Sequence, residues 1–312
     1  MKRLLLSCGA LCVGVLLGAT PARATREEGV DVSEWQLDVD WPMVRASGRT
    51  FAFIRATRGG LTGTINSGEG RYDDPRFVEN ITEAKAAGML VAPYHFARPD
   101  ILTHSPETEA QHFINVAGSY MAPGYLRPVL DLEVGGTERE ADDLAAWALR
   151  FCNFVATAKG ETARPIIYTT RNFANVELDG TQTVGGHTLN EHALWLAAPQ
   201  FTHTETGLPV DAQNDPTPPG FYLGTTPIYP NPLGLWGPDT GSRPDTWAFW
   251  QYNQAAPAGT VPGINAPIDL DVFHSELGSM SMFLVPEPAS MALTGLAALA
   301  LVVRRPRRTT NG

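Results

Sequence analysis

Residues 127–169 read RPVLDLEVGGTEREADDLAAWALRFCNFVATAKGETARPIIYT: a short apolar run, a long helical pattern and a second short apolar run. Arg127 to Leu132 and Pro165 to Thr169 have strand length and strand character. Between them Leu144, Trp147, Ala148, Phe151, Cys152 and Val155 recur at helical spacing and form one stripe. Thr137 and Glu140 stand at capping-box spacing ahead of that stripe. A helix with one apolar face, set between two short strands, buries the face on the sheet that the strands make. The unit therefore reads as a right-handed crossover joining parallel strands.

The alternation continues in both directions. Towards the N-terminus, Gly29 to Val32, Phe51 to Ala56 and Met89 to Phe96 are strand-like, and Asp74 to Ala87 is a helical pattern stopped by Gly88. Ser105 to Ala117 begins with an N-cap serine and Pro106 at the first helical position, followed by Ala110, Phe113, Ile114 and Ala117 on one face. Towards the C-terminus, Leu194 to Ala197, Trp247 to Tyr252 and Ile268 to Phe273 are strand-like without helical period between them. Residues 199–246 are instead a proline-rich excursion, and long loops in compact domains are often functional. Eight strands with five helical connections describe a single-domain α/β barrel of the TIM type whose last part lacks regular helices. A doubly wound open sheet is the competing topology.

Composition narrows the partners. The 312 residues carry 23 Lys+Arg against 33 Asp+Glu, a formal charge of −10, with 43% hydrophobic residues. That balance supports a sizeable core and argues against nucleic acid as a partner.

Both ends read as addresses. Lys2 and Arg3, the apolar run Leu4 to Leu17, and Ala22-Arg23-Ala24 have the order of a secretory signal with an A-x-A cleavage site. A buried first helix is the alternative reading of residues 1–24. Removal would take Cys8 and Cys12 away and leave Cys152, on an apolar helical face, with no partner for an internal disulfide. At the other end, residues 285–312 hold Val285-Pro286-Glu287-Pro288, the apolar stretch Ala289 to Val303, and Arg304-Arg305-Pro306-Arg307-Arg308. Fifteen apolar residues rise about 22 Å as a helix, short of the ~30 Å hydrocarbon core, and the arginines behind would stay cytoplasmic. The order resembles the PEP-CTERM sorting signal of Gram-negative bacteria. The resemblance implies an export signal peptidase and an exosortase-type enzyme as partners, a transient inner-membrane intermediate held by a transmembrane helix, and delivery to the cell surface or extracellular matrix. A plain membrane anchor is the alternative. Without Lys2, Arg3, Arg23, Glu287 and the four terminal arginines, 16 basic groups face 32 acidic ones. Any glycan substrate must then be held by aromatic faces and hydrogen bonds rather than by charge.

In a parallel barrel the active site lies at the carboxyl ends of the strands. Three of those ends carry acids: Asp31, the pair Asp131 and Glu133, and the pair Asp269 and Asp271. Residues i and i+2 of a strand share a face, so Asp131 and Glu133 point the same way with Cα atoms about 6.5 to 7 Å apart. One ionised member raises the pKa of the other, and a carboxylic acid kept protonated near neutrality can protonate a glycosidic oxygen. An aspartate at a strand end can equally cap the next helix. Tyr94, His95, Tyr168, Trp195, Trp250, Gln251 and Tyr252 stand at the other strand ends, and aromatic faces with a polar handle suit sugar rings. The chain has no G-x-S-x-G, no H-E-x-x-H and no P-loop, and its histidines show no metal spacing.

Taken in order, Gly29-Val30-Asp31-Val32-Ser33 with Trp35-Gln36, Pro93-Tyr94-His95-Phe96, Asp131-Leu132-Glu133, Ile167-Tyr168-Thr169, Leu194-Trp195-Leu196-Ala197, Trp250-Gln251-Tyr252 and Ile268-Asp269-Leu270-Asp271 resemble the glycoside hydrolase family 25 lysozymes. The resemblance runs from about residue 28 to 275, within a barrel domain bounded at residues 25–284. It implies a (βα)5β3 barrel that hydrolyses the β-1,4 bond between N-acetylmuramic acid and N-acetylglucosamine of peptidoglycan without a cofactor or metal. It makes Glu133 the general acid, Asp131 its assistant or the group orienting the substrate N-acetyl, and Asp31 and Asp269 the acids that shape the charge of the site. Tyr94, His95, Tyr168, Trp195, Trp250, Gln251 and Asp271 would contact substrate. Asp271 stands where the family often has asparagine, and Ala198-Pro199 where it commonly has an aromatic. Retention or inversion stays open on sequence alone. Two other functions remain: the same mechanism on an exopolysaccharide containing N-acetylhexosamine, and a surface protein that binds glycan without turnover.

Overall fold

The computed structural model describes residues 26–61, 70–198, 234–236 and 247–287. Its sheet contains β1 (Glu28–Val32), β2 (Phe51–Arg58), β3 (Tyr72–Asp73), β4 (Leu90–Phe96), β5 (Val129–Asp131), β6 (Ile166–Thr170), β7 (Leu194–Ala197), β8 (Trp247–Ala256) and β9 (Ile268–Phe273). Strands β1, β2, β4, β5, β6, β7 and β8 pair in parallel in that order, and β9 runs antiparallel between β8 and β1 to close an eight-stranded barrel. The open doubly wound sheet is thereby excluded. The short β3 hangs on the outer end of β2 through two antiparallel pairs and was not expected from the sequence.

Five helices fill the connections: α1 (Trp41–Ala46), α2 (Phe77–Ala86), α3 (Pro106–Ala117), α4 (Ala141–Lys159) and α5 (Arg171–Val176). Helix α3 starts as its sequence dictates, with the Ser105 hydroxyl accepting from the Thr108 amide and Pro106 in the first turn. The capping box expected from Thr137 and Glu140 does not form. The Gly135 carbonyl accepts from the Glu138 and Arg139 amides, a separate turn that holds Thr137 away, and α4 begins after Glu140 without a side-chain cap. Helices α1 and α5, six residues each, are too short to show a period. Both are nevertheless capped, by Asp40 onto the Met43 amide and by Thr170 onto the Phe173 amide.

Two cores result. The larger lies between barrel and helices and takes the outward residues Val30, Ile54, Val91, Leu130, Ile167, Leu196 and Trp250 with the stripe of α4, including the fully buried thiol Cys152. The smaller fills the barrel with Phe51, Phe53, Tyr94, Tyr168, Trp195, Phe249 and Phe273, and Met280 and Phe283 close it from below. Gly29 faces this interior because the Phe51 ring occupies the space, and a Cβ there would sit 2.4 Å from it. The proline-rich excursion lies outside the described residues except for a single turn at Gly234–Trp236. Among the described residues no helix is long and apolar enough to cross a membrane, and the transmembrane helix expected at Ala289 to Val303 lies outside them, as does residues 1–24.

Candidate active site

Strand alternation sends Asp31, Arg55, Tyr94, Asp131, Tyr168, Trp195 and Gln251 into one end of the barrel, the carboxyl end of its parallel strands. Glu133 joins them from the loop after β5, and Asp269 from the start of β9. Together they line an open cleft of about 250 Å³. Its floor is Trp195, whose indole lies 4.1 Å from the Phe53 ring in a stacked arrangement and whose Nε1 donates to Asp271 Oδ1 at 2.8 Å.

Gln251 ties the acids together. Its Nε2 donates to Asp31 Oδ2 at 2.9 Å and reaches Asp269 Oδ2 at 3.4 Å. Its Oε1 accepts from the Tyr168 hydroxyl and from Gln254 Nε2, each at 3.1 Å. Asp269 is fixed further by the Ala255 amide, which donates to Oδ1 at 2.6 Å from a left-handed backbone position in β8. Arg55 is the guanidinium in the cleft lining, and its Nε is held by Asp74 at 2.9 Å while its outer nitrogen reaches Glu34 at 3.3 Å.

Carboxyls crowded with so little compensating charge take up protons above their usual range. Burial raises Asp131 well above its ordinary value, the Glu133 charge raises it further, and Arg55 opposes both. Burial and then the Asp269 charge raise Glu133. Asp31 is raised well above its usual value by burial, then by Asp271 and Asp269, against the Gln251 hydrogen bond. Burial raises Asp269 too, against the Ala255 amide. Asp271 is completely buried and raised well above its usual value by that burial, with the Trp195 indole opposing. Asp131 and Glu133 thus form a coupled pair that keeps a proton beyond the range of free carboxylates. Asp131 Oδ1 is buried without a hydrogen-bond partner, an acceptor left for a group that enters the cleft.

Three expected substrate contacts lie elsewhere. His95 sits on the outer face of β4, because Tyr94 and Phe96 take the inner one. Its ring stacks on Phe151 at 5.1 Å, Nδ1 meets the Thr57 hydroxyl at 2.8 Å and Nε2 meets Glu109 at 2.9 Å, so it joins β4 to α3. Trp250 also faces outward, donating from Nε1 to the Ala198 carbonyl at 3.0 Å under the Arg26 guanidinium. Asp271 lies beneath the cleft rather than on its wall.

Other residues on the wall were not anticipated. Arg55 follows from the parity of Phe51 and Phe53 on β2, which gave a readable signal. Gln254 sits beyond a register shift in β8, where parity no longer holds. Trp35 stands at the rim with 70% of its surface exposed. Its turn is set by Ser33 and Gln36, which cap each other, and by Gln36 Nε2 donating to the Pro267 carbonyl at 2.9 Å. Beyond Glu133 a second recess of about 370 Å³ opens between Asp100, Gly135, Gly136, Phe173 and Glu177. Glu133 therefore stands on the wall between two recesses, where an extended polymer would pass it. Among the described residues no cluster of histidine, cysteine or acidic groups could hold a metal ion.

Comparison with known proteins gives matching results. The family model of the glycosyl hydrolases family 25 matches residues 30–212, and that of the PEP-CTERM protein-sorting motif matches residues 284–308. The chain is 27% identical over 261 residues to lysozyme M1 of Streptomyces globisporus, covering 81% of this chain and 70% of that protein. It is 28% identical over 154 residues to the N,O-diacetylmuramidase of Chalaropsis sp, covering 46% of this chain and 65% of that one. In fold it is similar to the bacterial lysozyme of Streptomyces coelicolor, with a TM-score of 0.55 at 24% identity over 82% of this chain and 96% of that one. The family GH25 lysozyme of Aspergillus fumigatus gives a TM-score of 0.55 at 23% identity over 83% of this chain and 100% of that one.

Proposed function

The chain belongs to glycosyl hydrolases family 25 and is a glycoside hydrolase, and on that premise we propose that it cleaves the β-1,4 bond between N-acetylmuramic acid and N-acetylglucosamine in peptidoglycan, with Glu133 as the general acid. The observation that carries this reading is the convergence of Asp31, Asp131, Glu133 and Asp269 on one cleft, in which burial and neighbouring charge raise Asp131 and Glu133 above the ordinary carboxylate range. The shared proton is delivered from Glu133, the more exposed member, to the glycosidic oxygen as the bond breaks. Once the proton has left the pair, Asp131, with Arg55 in the same cleft, stabilises the positive charge that develops on the sugar or orients its N-acetyl group. Asp31 and Asp269, held in place by Gln251, add negative charge to the cleft as they ionise, which favours an oxocarbenium-like transition state. Trp35, exposed at the rim, offers a face on which a sugar ring lies, and Tyr94, Tyr168 and Trp195 line the cleft beneath it.

Residues 1–24 act in this reading as an export signal removed by signal peptidase, and residues 285–312 as a sorting tail handled by an exosortase-type enzyme after a transient stay in the inner membrane. The protein then reaches the cell surface or matrix of a Gram-negative bacterium. The sorting motif also favours a second substrate, an exopolysaccharide that contains N-acetylhexosamine and surrounds the producing cell.

The test is mass spectrometry of products from purified sacculi, with Glu133→Gln in parallel. Disaccharide muropeptides ending in reducing muramic acid are expected, falling by orders of magnitude with the variant while the glycan still binds. Unchanged turnover in Glu133→Gln would remove Glu133 from its role. Products from exopolysaccharide but not from sacculi would select the second substrate, and binding to both without product would leave a glycan-binding protein.

A further inference from the structure

We infer that both terminal addresses leave the barrel from the pole opposite the cleft, so that a membrane holding either of them meets the barrel floor while the cleft opens away from it. The inference rests on the reading of the two ends as membrane-directed segments.

The floor is built by the chain's own C-terminal segment. After β9 reaches the amino-terminal end of the parallel strands, the His274 amide donates to the Ala248 carbonyl at 2.9 Å, and the chain turns across the barrel opening. Met280 and Phe283 plug that opening, with the Phe283 ring 5.4 Å from Phe249 and 5.8 Å from Phe273. Residues 283–285 are then stitched to the segment entering β5. The Arg127 amide donates to the Phe283 carbonyl at 2.8 Å, Leu284 pairs with Leu126, and the Val285 amide donates to the Tyr125 carbonyl at 2.9 Å. Val285 is buried, so the first two residues of the sorting match belong to the folded body, and the chain comes free only at Pro286 and Glu287.

The N-terminal end emerges beside it. The Phe273 amide donates to the Glu27 carbonyl at 2.9 Å, and the Arg26 guanidinium lies 5.0 Å from the ring of Trp247, the first residue of β8. Glu133 is at the other pole: β5 runs from just after the floor contact at Leu126 to Asp131 at the carboxyl end of the barrel, and Glu133 follows in the loop that lines the cleft. A held molecule therefore works on polymer that lies beyond it, not on the layer that holds it. Any processing beyond Glu287 leaves the floor closed and the cleft intact.

Two forms of the full chain, each with Cys8 and Cys12 changed to serine and one accessible cysteine introduced, test this. Cys152 is completely buried and stays silent. Leu37→Cys, 62% exposed near the cleft rim, and Met282→Cys, 59% exposed on the floor, would each carry a fluorophore on vesicles of phosphatidylcholine and phosphatidylglycerol with a spin-labelled headgroup lipid. Quenching several-fold stronger at the Met282 site is the expected result. Equal quenching, or stronger quenching at Leu37, on vesicles that do bind the protein overturns the orientation alone. Failure of the full chain to float with vesicles overturns the membrane-directed reading of the ends and the orientation with it.

Discussion

Replacing Gln251 with glutamate changes one atom of the amide and inverts its chemistry at one pH but not at another. The native Nε2 donates towards both Asp31 and Asp269, while Oε1 accepts from Tyr168 and Gln254. The introduced carboxyl, almost fully buried and facing two acids, keeps its proton in acidic solution. Its O–H then replaces one donor and its carbonyl oxygen still accepts from Tyr168. As pH rises the proton leaves, no donor remains, and a third negative charge faces the other two. A hydrogen bond to a charged group contributes about 1.5 to 3 kcal/mol. At 1.36 kcal/mol per tenfold, its loss lowers kcat/KM by about 10- to 150-fold. Gln251→Glu should therefore approach native kcat/KM on the acidic side and lose most of it on the alkaline side, whereas Gln251→Leu should lose activity at every pH. The assay is the pH profile of kcat/KM on soluble peptidoglycan fragments, with circular dichroism at each pH to confirm folding. A Gln251→Glu profile parallel to the native one would show that Gln251 does not govern the acids it touches.

Asp271→Asn should flatten the pH dependence of stability. The folded Asp271 carboxyl is raised well above 3.8, chiefly by burial, so its contribution is complete below the unfolded value and lost as pH rises through the folded one. An amide keeps the acceptor for Trp195 and needs no proton, so the melting temperature of the variant should fall less from about pH 5 to about pH 8 than that of the native protein; an equal fall would refute the reasoning. Trp35→Ala should raise KM for polymeric substrate by a few-fold to tenfold with kcat little changed, because an aromatic stacking contact contributes about 0.5 to 1.5 kcal/mol; an unchanged KM would place the sugar elsewhere. Phe283→Ala should reduce stability by about 3 to 5 kcal/mol in urea titration, since the ring closes the barrel floor; a loss below 1 kcal/mol, read against that same range, would mean that the floor is not closed by this ring.

The barrel was legible because its signals are local. Helix α3 begins and ends where its cap serine, first-turn proline and apolar face require, and β7 and β9 have the limits that their apolar runs suggest. The parts that escaped are those set by distant partners. β5 is only Val129–Asp131, shorter than its apolar run, because the Arg127 amide bonds to residue 283 rather than to a neighbouring strand. β8 runs on to Ala256 because β9 offers it a partner past the apolar segment, at the expense of two register shifts. The barrel floor is invisible in the sequence for the same reason: Met280 and Phe283 lie in a short apolar segment whose role depends on the opening they cover.

At the site the decisive rule was one that the sequence already contained. Once Asp131 faces inward, pairing with Tyr168 on one side and Phe96 on the other sets the inward residues of β6 and β4. Tyr94 and Phe96 then face in and His95 must face out, where Thr57, Glu109 and Phe151 satisfy it. The same parity sends Gln251 in and Trp250 out. An aromatic at the end of a barrel strand is thus a candidate for the cleft only when its parity agrees with that of an inward acid. Parity also finds Arg55, two residues beyond Phe53. It cannot find Glu133, Trp35 or Gln254, which lie past a strand end, on a turn and beyond a bulge, and whose positions are fixed by loop hydrogen bonds and register shifts. The acid at the centre of the proposed chemistry is therefore placed by the loop after β5, and the glycines at 135 and 136 are what let that loop turn. Gly135 takes a positive φ of 106° with Pro99 against it, and a Cβ on Gly136 would meet the Glu177 carboxylate. The barrel aims its acids by strand pleat, but the carboxyl proposed as the proton donor follows a turn whose positive φ favours glycine.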